Sequence, residues 1–165
     1  MNKIKRFTES DFIKMREDYV FWRNISRGFV EAQDGDKTIH VNGRDIIGYW
    51  VYGYALPIDG EMYIFGGRSV DDINNPTNKH LIVFDTLTKC TGLLCQTDED
   101  KFKPIFQYDV VTVRNRYAVH VNQTVYWDAV ECAWHLTNFD SNLGEHQPMT
   151  ARHIYTVTGT TFDKK

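Results

Sequence analysis

Apolar residues recur at helical spacing in the first part of the chain. The stripe that they form consists of Phe12, Met15, Tyr19 and Trp22. Steps of three and four residues place such side chains on one face of a helix. Gly28 supplies a residue of the type that ends helices. The pattern therefore predicts a helix and its exit over residues 8–29, and a helical N-terminal segment over residues 1–30.

From Gln33 onward, short apolar runs alternate with dipeptides typical of tight turns. These dipeptides are Asp34-Gly35, Asn42-Gly43 and Asp59-Gly60. They reach the positive φ angles of hairpin turns at little cost. Later strand candidates cover residues 81–84, 110–113, 118–121, 125–127, 132–136 and 154–162, and polar loops are predicted over 69–78, 97–101 and 138–148. We expect a mainly-β (α+β) fold, a short-stranded β-barrel or rolled sheet of hairpins with one N-terminal helix, and a β domain over residues 31–165.

Composition and charge narrow the class of protein. The chain has 165 residues, a hydrophobic fraction of 42% and a charged fraction of 25%, which are ordinary values for one globular domain. Residues 1–30 hold seven basic and four acidic residues, which is a net charge of +3. Because the net charge of the whole chain is −3, residues 31–165 carry −6. Negative charge on this part of the chain repels the phosphate backbone, so direct nucleic-acid binding is disfavoured. The sequence contains no apolar run long enough for a membrane helix and no signal-peptide pattern, and a cytoplasmic protein with free thiols is the expectation.

Three segments, in order, resemble the YopX family of phage and prophage proteins. The first is G-Y-W-V-Y-G-Y at 48–54 with Y-I-F at 63–65. The second, the most specific, is V-F-D-T-L-T-K-C-T-G-L at 83–93, with I-F-Q-Y-D-V-V at 105–111. The third is V-T-G-T at 157–160 with Phe162 and Asp163. Residues 31–165 are thus similar to a YopX domain, with the first 30 residues as an added element.

This resemblance implies a β-rich, barrel-containing fold, a phage origin and a location in the host cytoplasm. It implies no catalytic mechanism. Gln107 and Tyr108 stand where the family usually has Glu and Gly, and Asp85 stands near its Pro. Asp109 is most simply a turn residue that accepts bonds from nearby backbone amides.

Searches for catalytic and metal-binding patterns find none. Four histidines, His120, His135, His146 and His153, lie in the C-terminal half with Asp128, Glu131 and Cys132. No pair of them has the spacing of a known zinc motif, and Cys132 and His135 fall on opposite faces of a regular strand. We therefore expect no metal and no cofactor. Cys90 is either an activated thiolate or a buried thiol, and we favour the buried thiol.

The sequence favours a non-enzymatic role through binding surfaces. One candidate surface is the strand face of Trp50, Tyr52 and Tyr54 with Arg68, and its alternative is a core or a subunit interface. The other is the N-terminal stripe, with Phe12, Tyr19, Trp22 and Arg23 as contacts. We expect a phage accessory protein that binds a host or anti-phage-defence macromolecule, such as a CRISPR component, with self-association as an option. A binder of a small nucleotide or signalling molecule is the alternative, and an enzyme of unrecognised type is the third.

Overall fold

The computed structural model describes residues 24–69, 78–96, 102–114, 116, 118–138, 146–150 and 153–163. Twelve strands form there: β1 Ser26–Glu31, β2 Lys37–Val41, β3 Arg44–Ile58, β4 Glu61–Gly67, β5 Lys79–Leu81, β6 Thr88–Gln96, β7 Phe102–Phe106, β8 Asp109–Arg114, β9 Val119–Asp128, β10 Ala133–Asn138, β11 His146–Pro148 and β12 Ile154–Thr160. The helical content of the described residues is one 3-10 turn, Phe84–Thr86. The mainly-β prediction is therefore confirmed.

The strands make two antiparallel sheets. The larger sheet has the order β7-β6-β1-β3-β4-β5, and β2 adds to it by pairing with β3. The smaller sheet has the order β11-β10-β9-β8-β12. The closed barrel stays a prediction. The described part of the chain contains no helix that is both long enough and apolar enough to cross a bilayer.

Strand β1 corrects the helical assignment of residues 1–30. The predicted helix lies mostly at residues 1–23, outside the described residues, but Ser26–Glu31 is a strand that pairs with Gly48–Gly53 of β3 and with β6. Gly28 ends no helix there, because it lies within β1 and pairs with Val51 of β3. A Cβ at this position would lie 2.5 Å from Cδ1 of Ile82. The glycine allows close packing inside the sheet. The partners of β1 are distant in sequence, so local spacing does not reveal the strand.

Of the three dipeptides predicted to form hairpin turns, two do so. Asn42-Gly43 and Asp59-Gly60 have positive φ angles and join β2 to β3 and β3 to β4, so both hairpins are confirmed. Asp34-Gly35 lies in a connection between β1 and β2, which each pair with β3 and not with one another. The predicted buried strand at 81–84 is also wrong. Only Leu81 of these residues belongs to a strand, and Phe84 is exposed in the 3-10 turn.

One apolar cluster lies within the larger sheet, and another lies between the two sheets. The cluster of the larger sheet contains Phe29, Ile39, Val41, Ile46 and Trp50. The cluster between the sheets combines Cys95 of β6 and Ile105 of β7, from the larger sheet, with residues of the smaller sheet: Val111, Val113, Val125, Leu136 and Tyr155. The C-terminal residues also reach the larger sheet, where Asp163 forms a bridge with Ile39 of β2. On the face of β3 opposite to Trp50, Val51 forms a further cluster with Ile64 and Ile82.

Candidate functional site

Most of the predicted aromatic row on β3 belongs to the core. Trp50 is 8% exposed, and its ring packs against Phe29 at 5.2 Å between centroids and against Phe162 at 5.7 Å. Tyr52 packs against Phe106, and burial raises the pKa of its hydroxyl. Tyr54, further along the strand, is 41% exposed. Trp50 and Tyr52 are therefore core residues, which was the alternative to a binding surface. Of the three side chains, only Tyr54 is at the surface.

Arg68 does not join this row. Its guanidinium carbon lies 3.9 Å from the ring centroid of Tyr49, and Nη2 lies 3.6 Å from Oδ1 of Asp36. Tyr49 and Tyr54 occupy odd and even positions of β3, and successive side chains of a strand point to opposite faces. The prediction that Arg68 lies with Trp50, Tyr52 and Tyr54 is therefore wrong.

An exposed apolar face forms where β3, β4 and β5 pair. Tyr54 lies opposite Phe65, and Leu56 lies opposite Tyr63. Phe65 and Tyr63 in turn lie opposite residues of β5, Lys79 and Leu81. Directly opposite residues share one side of an antiparallel sheet. We call this set the β3–β5 face: Tyr54, Leu56, Tyr63, Phe65, Lys79 and Leu81.

The exposure of the β3–β5 face distinguishes it from scattered surface residues. Leu56 is 50% exposed and Leu81 47%, and Nζ of Lys79 lies 4.7 Å from the ring centroid of Tyr63. Adjoining exposed apolar side chains of this kind mark binding surfaces more often than isolated ones do. Sequence reasoning found Tyr54 and missed the other members. The Asp59-Gly60 turn was the available signal, because it fixes the pairs of β3 with β4.

A cavity of about 560 Å³ lies beside the same strands. Tyr49, Met62, His80, Ile82, Val83 and Phe84 are among its lining residues. Nε2 of His80 is buried and has no hydrogen-bond partner among the described residues. The ring of His80 meets that of Tyr49 edge to face at 6.5 Å, and Arg68 stacks on Tyr49. Glu31, Glu61 and Lys79 also line the cavity, so acidic and basic groups both border it. Its aromatic wall and mixed charges make it a candidate site for a small molecule.

A buried ion pair, which sequence reasoning missed, connects the two sheets. Nη1 of Arg27 in β1 lies 2.6 Å from Oδ1 of Asp109 in β8, and both side chains are buried. Nε of Arg27 donates to Oγ1 of Thr88, and Nη2 donates to the carbonyl of Gln107. The guanidinium also lies 4.6 Å from the ring centroid of Trp50. Because groups of the protein itself surround this guanidinium, we assign the Arg27–Asp109 pair a structural role and not a role in ligand binding.

Asp109 bonds a nearby backbone amide, as predicted for a turn residue, and it also pairs with Arg27. Its Oδ2 accepts the amide of Phe106 at 2.8 Å, as expected of a turn residue. Burial raises the pKa of the Asp109 carboxyl, while Arg27 and the Phe106 amide favour its ionised form. The short contact with Arg27 and this amide bond together describe a paired carboxylate.

The three cysteines differ in exposure. Cys90 and Cys95 are buried, and Cys132 is exposed. Burial raises the pKa of the Cys90 thiol to about 12, despite the bond that the amide of Gly92 donates to its sulfur. A thiol of this kind is not an activated nucleophile. The preferred interpretation of Cys90 as a buried thiol is confirmed.

In the part of the chain that the structure describes, three metal-ligating side chains come together at the turn between β9 and β10. These are Asp128, Glu131 and His135, and one ligand atom of each lies within 4.8 Å of the others. The spacing argument did not find them, because they meet across a turn and not along a helix or a strand.

The N-terminal contact residues Phe12, Tyr19, Trp22 and Arg23 lie outside the described residues and stay predictions. Comparisons of the chain with protein-family models, with curated proteins and with solved structures gave no match. The similarity to the YopX family likewise stays a prediction. The geometry therefore supplies the functional argument, and it offers two places for a partner: the β3–β5 face and the cavity at His80.

Proposed function

We propose that this protein is a non-catalytic accessory protein of phage origin that binds a macromolecule of the bacterial host or of its anti-phage defence. The observation that carries the binding role is the β3–β5 face, where Tyr54, Leu56 and Leu81 are each between 41% and 50% exposed. The resemblance to the YopX family supports the phage origin and a cytoplasmic location. CRISPR components are one class of target that fits this role.

The β3–β5 face has the composition expected of a protein-binding surface. Aromatic and aliphatic side chains occupy its centre, and Lys79 stands beside Tyr63 with its charge exposed. Aromatic residues are enriched at such surfaces because they bury a large area with few rotatable bonds. In the sheet order, β5 is a terminal strand, so a partner that covers Leu81 can also reach this edge. The predicted N-terminal contacts at Phe12, Tyr19, Trp22 and Arg23 would add a second surface.

The test is capture of a partner from a bacterial lysate by the tagged full chain and two kinds of variant. Leu56→Glu and Leu81→Glu place charges on the β3–β5 face at side chains that are already half exposed. Val121→Glu, at an exposed apolar residue of β9, is the matched control. We expect a partner that the wild type and Val121→Glu capture and that both face variants lose. Equal capture by all four chains would remove the β3–β5 face as the binding surface.

The same experiment separates partner binding from self-association. Light scattering during size-exclusion chromatography gives the mass of each variant. If the wild type forms a dimer that Leu56→Glu dissociates while no lysate protein is captured, the face is a subunit interface. That outcome would contradict binding of a host macromolecule at this surface.

A second candidate function, sequestration of a small nucleotide or signalling molecule, is favoured by the cavity that the rings of Tyr49 and His80 line. Native mass spectrometry of the purified full chain tests it. We expect a mass increment on the wild type that His80→Gln loses and that His40→Gln, at an exposed histidine of β2, keeps. A wild type without any increment would exclude a ligand that survives purification.

A further inference from the structure

The turn between β9 and β10 holds its residues in a defined arrangement. Strand β9 ends at Asp128, which pairs with Ala133, the first residue of β10. Oδ1 of Asp128 accepts the amides of Val130 at 2.9 Å and of Glu131 at 3.1 Å. Cys132 has a φ of 52°, in the left-handed region. In this turn Oε2 of Glu131 comes within 2.9 Å of Nε2 of His135 in β10.

His135 is a buried imidazole whose nitrogens are not satisfied. The residue is 2% exposed, and neither ring nitrogen has a hydrogen-bond partner among the described residues. Nε2 lies 2.9 Å from Oε2 of Glu131, which is the distance of an ion pair without the angles of a hydrogen bond. Burial of a polar group without such a bond is unfavourable, because the group loses its hydrogen bonds to water. Nε2 and the carboxylate of the turn therefore lie close together without satisfying one another, and a ligand that both contact would satisfy both.

We propose that Asp128, Glu131 and His135 bind a divalent transition-metal ion. One atom of each residue lies within 4.8 Å of the other two, which is close enough for all three to reach one ion. One imidazole nitrogen and two carboxylate oxygens are a ligand set for Zn²⁺ and its neighbours in the first transition row. Mg²⁺ and Ca²⁺ prefer oxygen ligands alone.

The surroundings allow the ion to enter and to keep open positions. The side chain of Glu131 is 64% exposed, whereas that of His135 is 3% exposed, so the site opens to solvent on the side of the turn. Water can fill the positions that the three residues leave. The sulfur of Cys132 is directed to the carbonyl of Ala129 at 3.5 Å, and we do not assign it as a ligand.

Binding of Zn²⁺ by the untagged full chain, measured by isothermal titration calorimetry, tests this site. Glu131→Gln removes an exposed ligand without touching the core. Asp128→Asn removes a charged ligand and keeps an oxygen that can accept the two turn amides. The matched control is Asp59→Asn, in the β3–β4 turn, an acidic residue that is not part of the group of possible metal ligands at the β9–β10 turn. We expect one Zn²⁺ per wild-type chain, with Kd raised at least about tenfold in the two site variants and unchanged in Asp59→Asn.

Four results would overturn the proposal. One is a wild type that takes up no Zn²⁺, since this would leave His135 in an ion pair with Glu131 alone. Another is equal affinity in Glu131→Gln, Asp128→Asn and Asp59→Asn, which would mean adventitious binding elsewhere. The third is binding that Cys132→Ser abolishes and Glu131→Gln does not, which would assign the ion to the thiol. A titration with Mg²⁺ as tight as that with Zn²⁺ would contradict the assigned class of ion.

Discussion

Arg27 and Asp109 are 82 residues apart in sequence, and their side chains meet at 2.6 Å in the interior, between the larger and the smaller sheet. Arg27→Met and Asp109→Asn each leave one charge buried without its partner. We expect each to lower the free energy of unfolding by about 3–5 kcal/mol. The double variant should cost much less than the sum of the two. Urea denaturation of the four chains gives this coupling.

The control for this cycle is Arg44→Met. Nη2 of Arg44 lies 3.7 Å from Oε2 of Glu31, with both side chains more than half exposed. Surface pairs of this kind contribute about 0–1 kcal/mol. Costs of Arg27→Met and Asp109→Asn that simply add would show that the buried pair does not act as a unit.

Deletion of residues 1–30 is expected to unfold the β domain. The deletion removes most of β1, which lies between β3 and β6 and carries Phe29 and Arg27. Deletion of residues 1–23 removes none of the residues that the structure describes, and we expect that shorter chain to melt cooperatively. Circular dichroism during heating compares the two. A cooperative melt of the chain without residues 1–30, at the temperature of the full chain, would show that β1 is dispensable.

Thiol reactivity should separate the cysteines by burial. Cys132 is exposed, whereas Cys90 and Cys95 are buried in the apolar clusters. We expect a thiol reagent at neutral pH to modify one cysteine quickly in the folded chain and all three in denaturant. Cys132→Ser should abolish the fast reaction. Rapid modification of Cys90 in the folded protein would contradict its enclosure.

Stability at alkaline pH should depend on Cys90. Its pKa rises from 9.0 to about 12 on folding, so the folded state holds the proton more tightly than the unfolded state. The resulting stabilisation is complete below about pH 9 and is lost as the pH rises through about 12, at about 1.4 kcal/mol for each pH unit between these values. In Cys90→Ala this contribution to the pH dependence of the free energy of unfolding should disappear, whereas Cys132→Ala should keep it. Urea denaturation at several pH values measures both slopes, and equal slopes in the wild type and Cys90→Ala would refute the burial effect.

Local signals determined the strand-rich character and two of the three turns. Asn42-Gly43 and Asp59-Gly60 carry the positive φ angles that the residue types allow, and these angles depend on the residues themselves. A two-residue turn also sets the strand pairs beside it, so Tyr54 opposite Phe65 follows from the sequence near Asp59. The burial of Cys90 was likewise predictable, because a small apolar thiol in a strand pattern is usually enclosed.

Tertiary structure alone decided which faces are covered and which distant residues meet. Trp50, Tyr52 and Tyr54 have the same parity on β3, yet only the first two are enclosed, because Phe29, Phe106 and Phe162 come from elsewhere in the chain to pack on them. Strand β1 exists through pairing with β3 and β6, which overrides the local preference at Gly28. The approach of Glu131 to His135 depends on the shape of one turn. Periodicity reports which side of a strand a residue faces, whereas packing of remote segments determines what that side meets.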